Sequence, residues 1–278
     1  MKVMKSGDEW FNDEDFWQKF APVMFDEKRW AEVPAVADGV TRLAGLDLYG
    51  EKTRSRKSGS SAARKTGKTA SARPGPAVVD LCCGFGRITL ELARRGFNAC
   101  GVDITASYLE TARDDAEYEG LQIEFIKNDV RRFRRKNAFD TAVNLYNSLG
   151  YFENPEDDFL FLKNAHYSLK DGGSLIIDVL GKEIAVRDYT EAEWFDRAGY
   201  TVLTECMPAD SWSSVWNRWI LIKDGQRIEK VFVQRLYAAS ELRSLLYNAG
   251  FTVVEIYGGW DESPYDMNAQ TLIAVARK

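Results

Sequence analysis

The chain predicts an α/β protein: a doubly wound, mostly parallel, Rossmann-like sheet of seven strands, with N-terminal helices and a small antiparallel β addition. Three observations carry this. Between residues 77 and 179, short apolar runs alternate with longer segments of helical period. Glycines stand where such helices end, at Gly96 and Gly120. The run Val78-Val79-Asp80-Leu81-Cys82-Cys83-Gly84-Phe85-Gly86-Arg87 passes from an apolar strand into a Gly-x-Gly turn and then into a helix.

The elements follow in order. Asn12, ahead of Asp13, Glu14 and Asp15, predicts a helix cap with acids in the first turn. That helix carries Phe16, Trp17 and Phe20 and is expected to stop near Pro22. Val36, Val40 and Leu43 place a second helix over 35–46. Residues 1–50 read as a helical cap. From 51 to 76 no large apolar residue appears, and Ser, Ala, Gly, Thr, Lys and Arg dominate, so this stretch is expected to be a disordered basic linker.

The expected core, 77–180, then runs strand 77–81, helix 86–95, strand 98–102, helix 106–119, strand 122–126, strand 140–146, helix 155–169 and strand 174–179. Asn154-Pro155 caps the last helix at its start, and Gly172-Gly173 is expected to close it. Residues 181–238 change character. Three strand-like runs, 200–206, 215–223 and 227–236, with Asp224-Gly225 between the last two, predict an antiparallel insertion on the substrate side. A helix at 240–249 and strands at 251–257 and 271–276 complete the sheet within 239–278.

Composition narrows the function. The chain is 45% hydrophobic, enough for a full core, and its net charge is −5. Eight of its 37 basic residues lie in 52–76, leaving 29 against 42 acidic ones. The folded body is therefore acidic, which disfavours general nucleic-acid binding. Ala62 to Thr69 superficially resembles a phosphate-binding loop but lacks its first glycine and a preceding strand. No run is long enough to span a bilayer and no leader pattern opens the chain, so the expected location is cytoplasmic. Cys82, Cys83, Cys100 and Cys206 do not have zinc spacing; they are expected to be buried or site-lining thiols, with no metal. Nothing in the pattern fixes an oligomeric state.

The chemistry concentrates at strand ends. A glycine turn lets a ligand approach the backbone, and the helix start offers free N–H groups. Asp103 ends the second strand, where an acid of a doubly wound fold binds ribose hydroxyls. A nucleoside-bearing cofactor follows. The third glycine of a dinucleotide fingerprint would fall at Thr89, which disfavours NAD. Lys127-Asn128-Asp129-Val130 follows the third strand, where an acid can accept from an adenine amine. Asn144-Leu145-Tyr146-Asn147-Ser148 ends the fourth strand, at the ligand crevice of open sheets.

With these residues in view, the chain resembles the class I S-adenosylmethionine-dependent methyltransferases. Residues 78–86 match that family's first motif, with Cys82 in place of the first glycine. Asp103 matches its ribose acid, Asp129 its adenine-side acid, and Leu169-Lys170-Asp171-Gly172-Gly173 its entry to the fifth strand. The resemblance covers roughly residues 75–180, with the 240–278 tail fitting the last helix and strands. It implies S-adenosyl-L-methionine as cofactor, held by Asp80, Cys82, Gly84, Gly86, Arg87, Asp103, Ile104, Asn128, Asp129, Val130 and Asn144, with Asp80 on the methionine ammonium. It further implies in-line attack on the sulfonium methyl.

Tyr146, Asn147, Ser148 and Tyr151 are the expected acceptor-side residues. If a base is required, Tyr151 and Asp178 are the candidates nearest the crevice, with Glu153 beside them. The single histidine, His166, reads as filler on a helix surface. Trp194, Trp212, Trp216 and Trp219 read either as strand core or as an aromatic wall suited to a cationic amine. The Asn/Asp-Pro-Pro-aromatic motif of base-directed nucleic-acid methyltransferases is absent. The expected partner is therefore a small-molecule acceptor. The alternatives are a methyltransferase on RNA or protein docking through the basic loop, and a non-catalytic module that binds the cofactor.

Overall fold

The computed structural model describes residues 9–46 and 75–278. The linker expected over 51–76 lies outside the described residues except for Gly75 and Pro76, as does the phosphate-loop-like stretch within it.

The N-terminal segment forms three helices: α1 (Glu14–Met24), α2 (Glu27–Ala31) and α3 (Val33–Ala44). The cap of α1 is Asp13 rather than Asn12, since Phe16 N–H donates to Asp13 Oδ1 at 3.1 Å. Pro22 does not stop this helix. Its ring faces solvent, the next turn closes through Phe25 N–H to Ala21 O, and burial of Phe16, Phe20 and Val23 holds the segment. The third helix starts and ends two residues before the expected one. Gly45 closes it in the left-handed region (φ 65°), where Gly45 and Leu46 N–H groups return to the Arg42 and Thr41 carbonyls.

The core then runs β1 (Ala77–Leu81), α4 (Arg87–Arg94), β2 (Asn98–Asp103), α5 (Ala106–Tyr118), β3 (Glu124–Lys127), β4 (Phe139–Asn144), α6 (Pro155–Ser168) and β5 (Leu169–Val179). After α7 (Lys182–Arg187) come β6 (Ala192–Arg197), β7 (Tyr200–Ala209), β8 (Ser214–Lys223) and β9 (Gln226–Arg235). The chain ends with α8 (Ala239–Asn248), β10 (Val253–Tyr257) and β11 (Leu272–Arg277). The main sheet has seven strands in the order β10-β11-β5-β4-β1-β2-β3; the β10–β11 and β11–β5 pairs are antiparallel and the other four are parallel. Strand order reverses between β1 and β4, so a crevice opens at the carboxyl ends of these two strands.

Gly172-Gly173 does not close α6. That helix ends at Ser168, and the pair sits in a bulge of β5, where the β4 register jumps from Phe139–Leu169 to Thr141–Ser174. The insertion has four strands, not three. The additional one, β6, carries three charged residues among its six, with only Phe195 turned to a core, so its alternation is weak.

The inserted sheet lays its inner face on α1, with Val202, Leu221 and Phe232 against Phe16, Phe20 and Val23. A buried polar knot ties it to the core. Asp158, 0% exposed, accepts from Arg235 Nη1 at 2.6 Å, Tyr237 OH at 2.8 Å and Gly150 N–H at 3.2 Å. Arg235 N–H donates back to Gly150 O at 2.7 Å.

Candidate active site

A cavity of about 700 Å³ occupies the crevice. The turn after β1 forms its floor. Cys82, Gly84 and Gly86 all hold left-handed φ values, 67°, 55° and 71°. At a cysteine that conformation costs about 1–2 kcal/mol. It is held here by Cys82 and Cys83 N–H groups, which both donate to Val102 O at 2.8 and 3.0 Å. Gly84 lines the cavity. Gly86 does not; a Cβ there would stand 2.9 Å from the Phe125 ring and 3.1 Å from Ala112 Cβ, so this glycine serves close packing of the turn on α5 and β3.

Three acids face the floor. Asp80 accepts from Thr89 Oγ1 at 2.7 Å through Oδ2, and burial pushes its carboxyl up to about 6. Asp103 is fixed by two backbone N–H groups: Gly84 donates to Oδ2 and Thr105 to Oδ1, both at 2.8 Å. Each oxygen keeps accepting capacity, which suits a pair of vicinal hydroxyls. Burial pushes Asp103 up as well. Thr105, available as a cap for α5, makes no side-chain cap bond. Asp129 is different. Burial pushes it up, but Arg131 outweighs this and holds it below the ordinary carboxylate range. Arg131 engages both Asp129 oxygens, at 2.6–3.1 Å, and also reaches Glu9 and Asp157. Ile104, Asn128 and Val130 complete this side of the cavity.

Asn144 is fully buried beneath the cavity rather than on its wall, with Nδ2 donating to Leu81 O at 2.8 Å and Oδ1 unpartnered. It bridges β4 to β1 at the switch point. Beyond it, Tyr146 and Asn147 are consecutive residues in the left-handed region, φ 59° and 64°. Two such non-glycine residues in succession store strain of a kind found at functional sites. The end of β5 holds them: Tyr146 N–H donates to Asp178 Oδ2 at 3.3 Å, Asn147 N–H to Asp178 O at 3.1 Å, and Leu180 N–H to Asn147 Oδ1. Gln234 of β9 donates to Asn147 O at 3.0 Å. Tyr146, Asn147, Ser148, Tyr151 and Asp178 all line the cavity. Burial pushes the Tyr151 phenol up, away from a usable phenolate, and pushes the Asp178 carboxyl up, toward a stronger base. Burial also pushes the Cys82 and Cys83 thiols up, which makes them inert.

Several expectations fall away from the site. Glu153 and His166 do not line the cavity; His166 packs edge-on against Phe251 at 5.0 Å. Of the four tryptophans in the insertion, only Trp219 reaches the cavity, because Trp194 and Trp216 lie on the opposite face of the sheet and Trp212 packs on Tyr189. In their place the cavity is roofed by residues that spacing did not single out: Phe11, Trp17, Phe25, Arg29 and Glu32 from the N-terminal helices, and Trp260 and Gln270 from the β10–β11 connection. The aromatic density of residues 10–30 was the one visible signal for them. Among the described residues no cluster of His, Cys, Asp and Glu could hold a metal ion, and no helix is long and apolar enough to cross a membrane.

Comparison with known proteins is consistent with this geometry. A methyltransferase domain family model matches residues 78–173. A putative methyltransferase of Geobacillus sp. (strain WCH70) is 25% identical over 208 residues, 72% of this chain and 84% of that protein. Among solved structures, an S-adenosylmethionine-dependent methyltransferase from Clostridium acetobutylicum is similar in fold, with a TM-score of 0.71 at 15% identity over 94% of this chain and 98% of that one. CalS10 from Micromonospora echinaspora, described as an amino pentose methyltransferase, aligns with a TM-score of 0.62 at 16% identity over 95% and 97%.

Proposed function

Because this chain is a class I S-adenosylmethionine-dependent methyltransferase, we propose that it methylates a small-molecule acceptor enclosed in the cavity described above. The observation that carries this is the roof. A cavity of about 700 Å³ is covered by Phe11, just before α1, by Trp17 of α1, and by Trp219 and Phe232 of the inserted sheet. That size and aromatic lining suit a small ligand held out of water, whereas a macromolecular acceptor calls for an open groove. The amino pentose acceptor in the description of CalS10 supports the same class.

The residues fit the donor. Asp103, oriented by two backbone amides, is suited to its ribose, and Gly84 lets it approach the turn. Asp80 is suited to its ammonium. Ile104, Asn128 and Val130 would flank its adenine. Asp129 shares that edge with Arg131, so an adenine amine there would divide the carboxylate with a guanidinium; the Asn128 side chain, which makes no hydrogen bond among the described residues, is the better hydrogen-bonding partner. Cys82 lines the cavity, whereas Gly86 and Asn144 act indirectly, by shaping the turn and joining β1 to β4.

The donor supplies a methyl group already activated on a sulfonium. The protein's part is alignment and exclusion of water, which in well-oriented systems supplies up to ~7–11 kcal/mol. Tyr146 and Asn147, strained and anchored on β5, would place the acceptor together with Ser148. Where its nucleophile carries a proton, Asp178 is the better candidate base, because burial raises its proton affinity while it takes Tyr151 out of range. The test is incubation with a fractionated metabolite extract and methyl-labelled donor, read by mass spectrometry. Labelled product in the low-molecular-weight fraction supports the reading; label only in RNA or protein overturns it.

A further inference from the structure

One corner of the cavity carries a charge that the fold leaves unbalanced. Arg87, at the start of α4, is 5% exposed. Its one hydrogen bond among the described residues runs from Nη1 to the Arg29 carbonyl at 2.6 Å. Its guanidinium lies over the Tyr146 and Phe25 rings, 4.7 and 5.0 Å from their centroids. Aromatic faces satisfy the flat sides of a guanidinium but not its in-plane donors. Arg29 also lines this corner, 5.8 Å from the centre of the same Tyr146 ring, and Glu32 neutralises it at 3.0 Å. The Tyr146 hydroxyl is buried with no hydrogen-bond partner among the described residues. Two guanidinium groups and a phenol thus converge, and among the described residues Arg29 has its ion pair with Glu32 while Arg87 has none. A buried, uncompensated cation is destabilising unless a counter-charge reaches it.

We propose that Arg87, Arg29 and the Tyr146 hydroxyl form a subsite for a carboxylate borne by the acceptor, so that this enzyme methylates an anionic small molecule. The inference rests on the reading of the cavity as a chamber for methyl donor and small acceptor. A planar carboxylate matches the in-plane donors that Arg87 leaves unused. The corner belongs to the acceptor because its centre is Tyr146, on the strained loop after β4. The N–H groups that open α4, next to Asp80, suit the donor's own carboxylate.

The test uses the full chain saturated with S-adenosylhomocysteine, with benzoate as the anionic probe and benzamide as its neutral counterpart, by titration calorimetry. Binding of S-adenosylhomocysteine to the wild type is measured first; its failure would count against the donor pocket itself. In the loaded enzyme, benzoate is expected to bind at least 10-fold more tightly than benzamide. Arg87→Met should abolish that preference and Arg87→Lys should keep part of it, while affinity for S-adenosylhomocysteine stays within threefold. Thermal melting checks that both variants fold. Equal affinity for benzoate and benzamide overturns the proposal. So does a 10-fold or greater loss of S-adenosylhomocysteine binding in Arg87→Met with no change for methylthioadenosine, which lacks the amino-acid group, since the subsite would then serve the donor's carboxylate.

Discussion

Replacing Asp80 by asparagine should make the ligand-free protein more stable at neutral pH while weakening its hold on the donor. Asp80 is 5% exposed and its carboxyl is pushed up from 3.8 to about 6, chiefly by burial. At 1.36 kcal/mol per pH unit, holding it ionised in the fold costs about 3 kcal/mol. The sign follows from linkage: the folded state binds this proton more tightly than the unfolded chain, so the stabilisation is complete below about pH 4 and is lost as pH rises through about 6. Asparagine never ionises, and its carbonyl can still accept from Thr89 Oγ1. It also removes a like charge beside Asp103. The advantage of the variant should therefore be small near pH 4, grow by about 2 kcal/mol between pH 4.5 and 7.5, and level off above. For a chain of this size that is a rise in melting temperature of about 4 °C at pH 8. Scanning fluorimetry of both ligand-free proteins across this pH range reads it directly. Calorimetry with S-adenosylhomocysteine should show a loss of about 1.5–3 kcal/mol, the scale of a hydrogen bond to a charged group. A variant less stable at pH 8, or a stability difference flat with pH, would refute the reasoning.

Asp103→Ala should weaken S-adenosylhomocysteine binding by about 1–3 kcal/mol, measured by the same titration; an unchanged constant would remove the ribose assignment. Arg235→Met leaves the Asp158 carboxylate buried beside Tyr237 with no cation, and should cost about 3–5 kcal/mol at pH 8 in denaturant unfolding. Burial already holds Asp158 above the ordinary range, so a neutral carboxyl relieves part of that penalty and the loss should shrink toward pH 5. Cys82→Gly accepts the φ of 67° without strain and should bind S-adenosylhomocysteine within threefold of the wild type. A large drop in affinity would show that the thiol itself shapes the donor pocket.

The floor of the site was legible in the sequence because it is local. Asp80, Gly84, Asp103 and Asp129 each sit at or just beyond the end of a strand with a strong apolar signature, and sheet topology alone brings those ends together. The roof was not legible, because it depends on contacts between segments far apart in the chain. Phe25 and Arg29 reach the cavity only because α1 is gripped by the inserted sheet, through Phe16, Phe20, Val202 and Phe232. Trp194 and Trp219 illustrate the difficulty. Both are tryptophans on adjacent parts of one sheet, yet the two-residue period sends Trp194 to solvent, 70% exposed, and Trp219 to the cavity. Register decides this, and β6 was too polar for its register to be read.

The same division separates what the sheet fixes from what the rest of the chain adds. Residues of the floor stand at the ends of β1, β2 and β3, which the sheet itself brings together. The opposite side of the cavity, proposed above for the acceptor, is assembled from three sources: the loop after β4, the N-terminal helices and the inserted strands. These depend on one another, since Tyr146 is pinned by Asp178, covered by the Arg87 guanidinium, and enclosed by a roof that the α1–insertion interface holds in place. Loosening that interface at a point remote from the cavity, as Phe232→Ala would, should therefore impair acceptor turnover more than donor affinity. Equal losses in both would show that floor and roof are one cooperative unit rather than two.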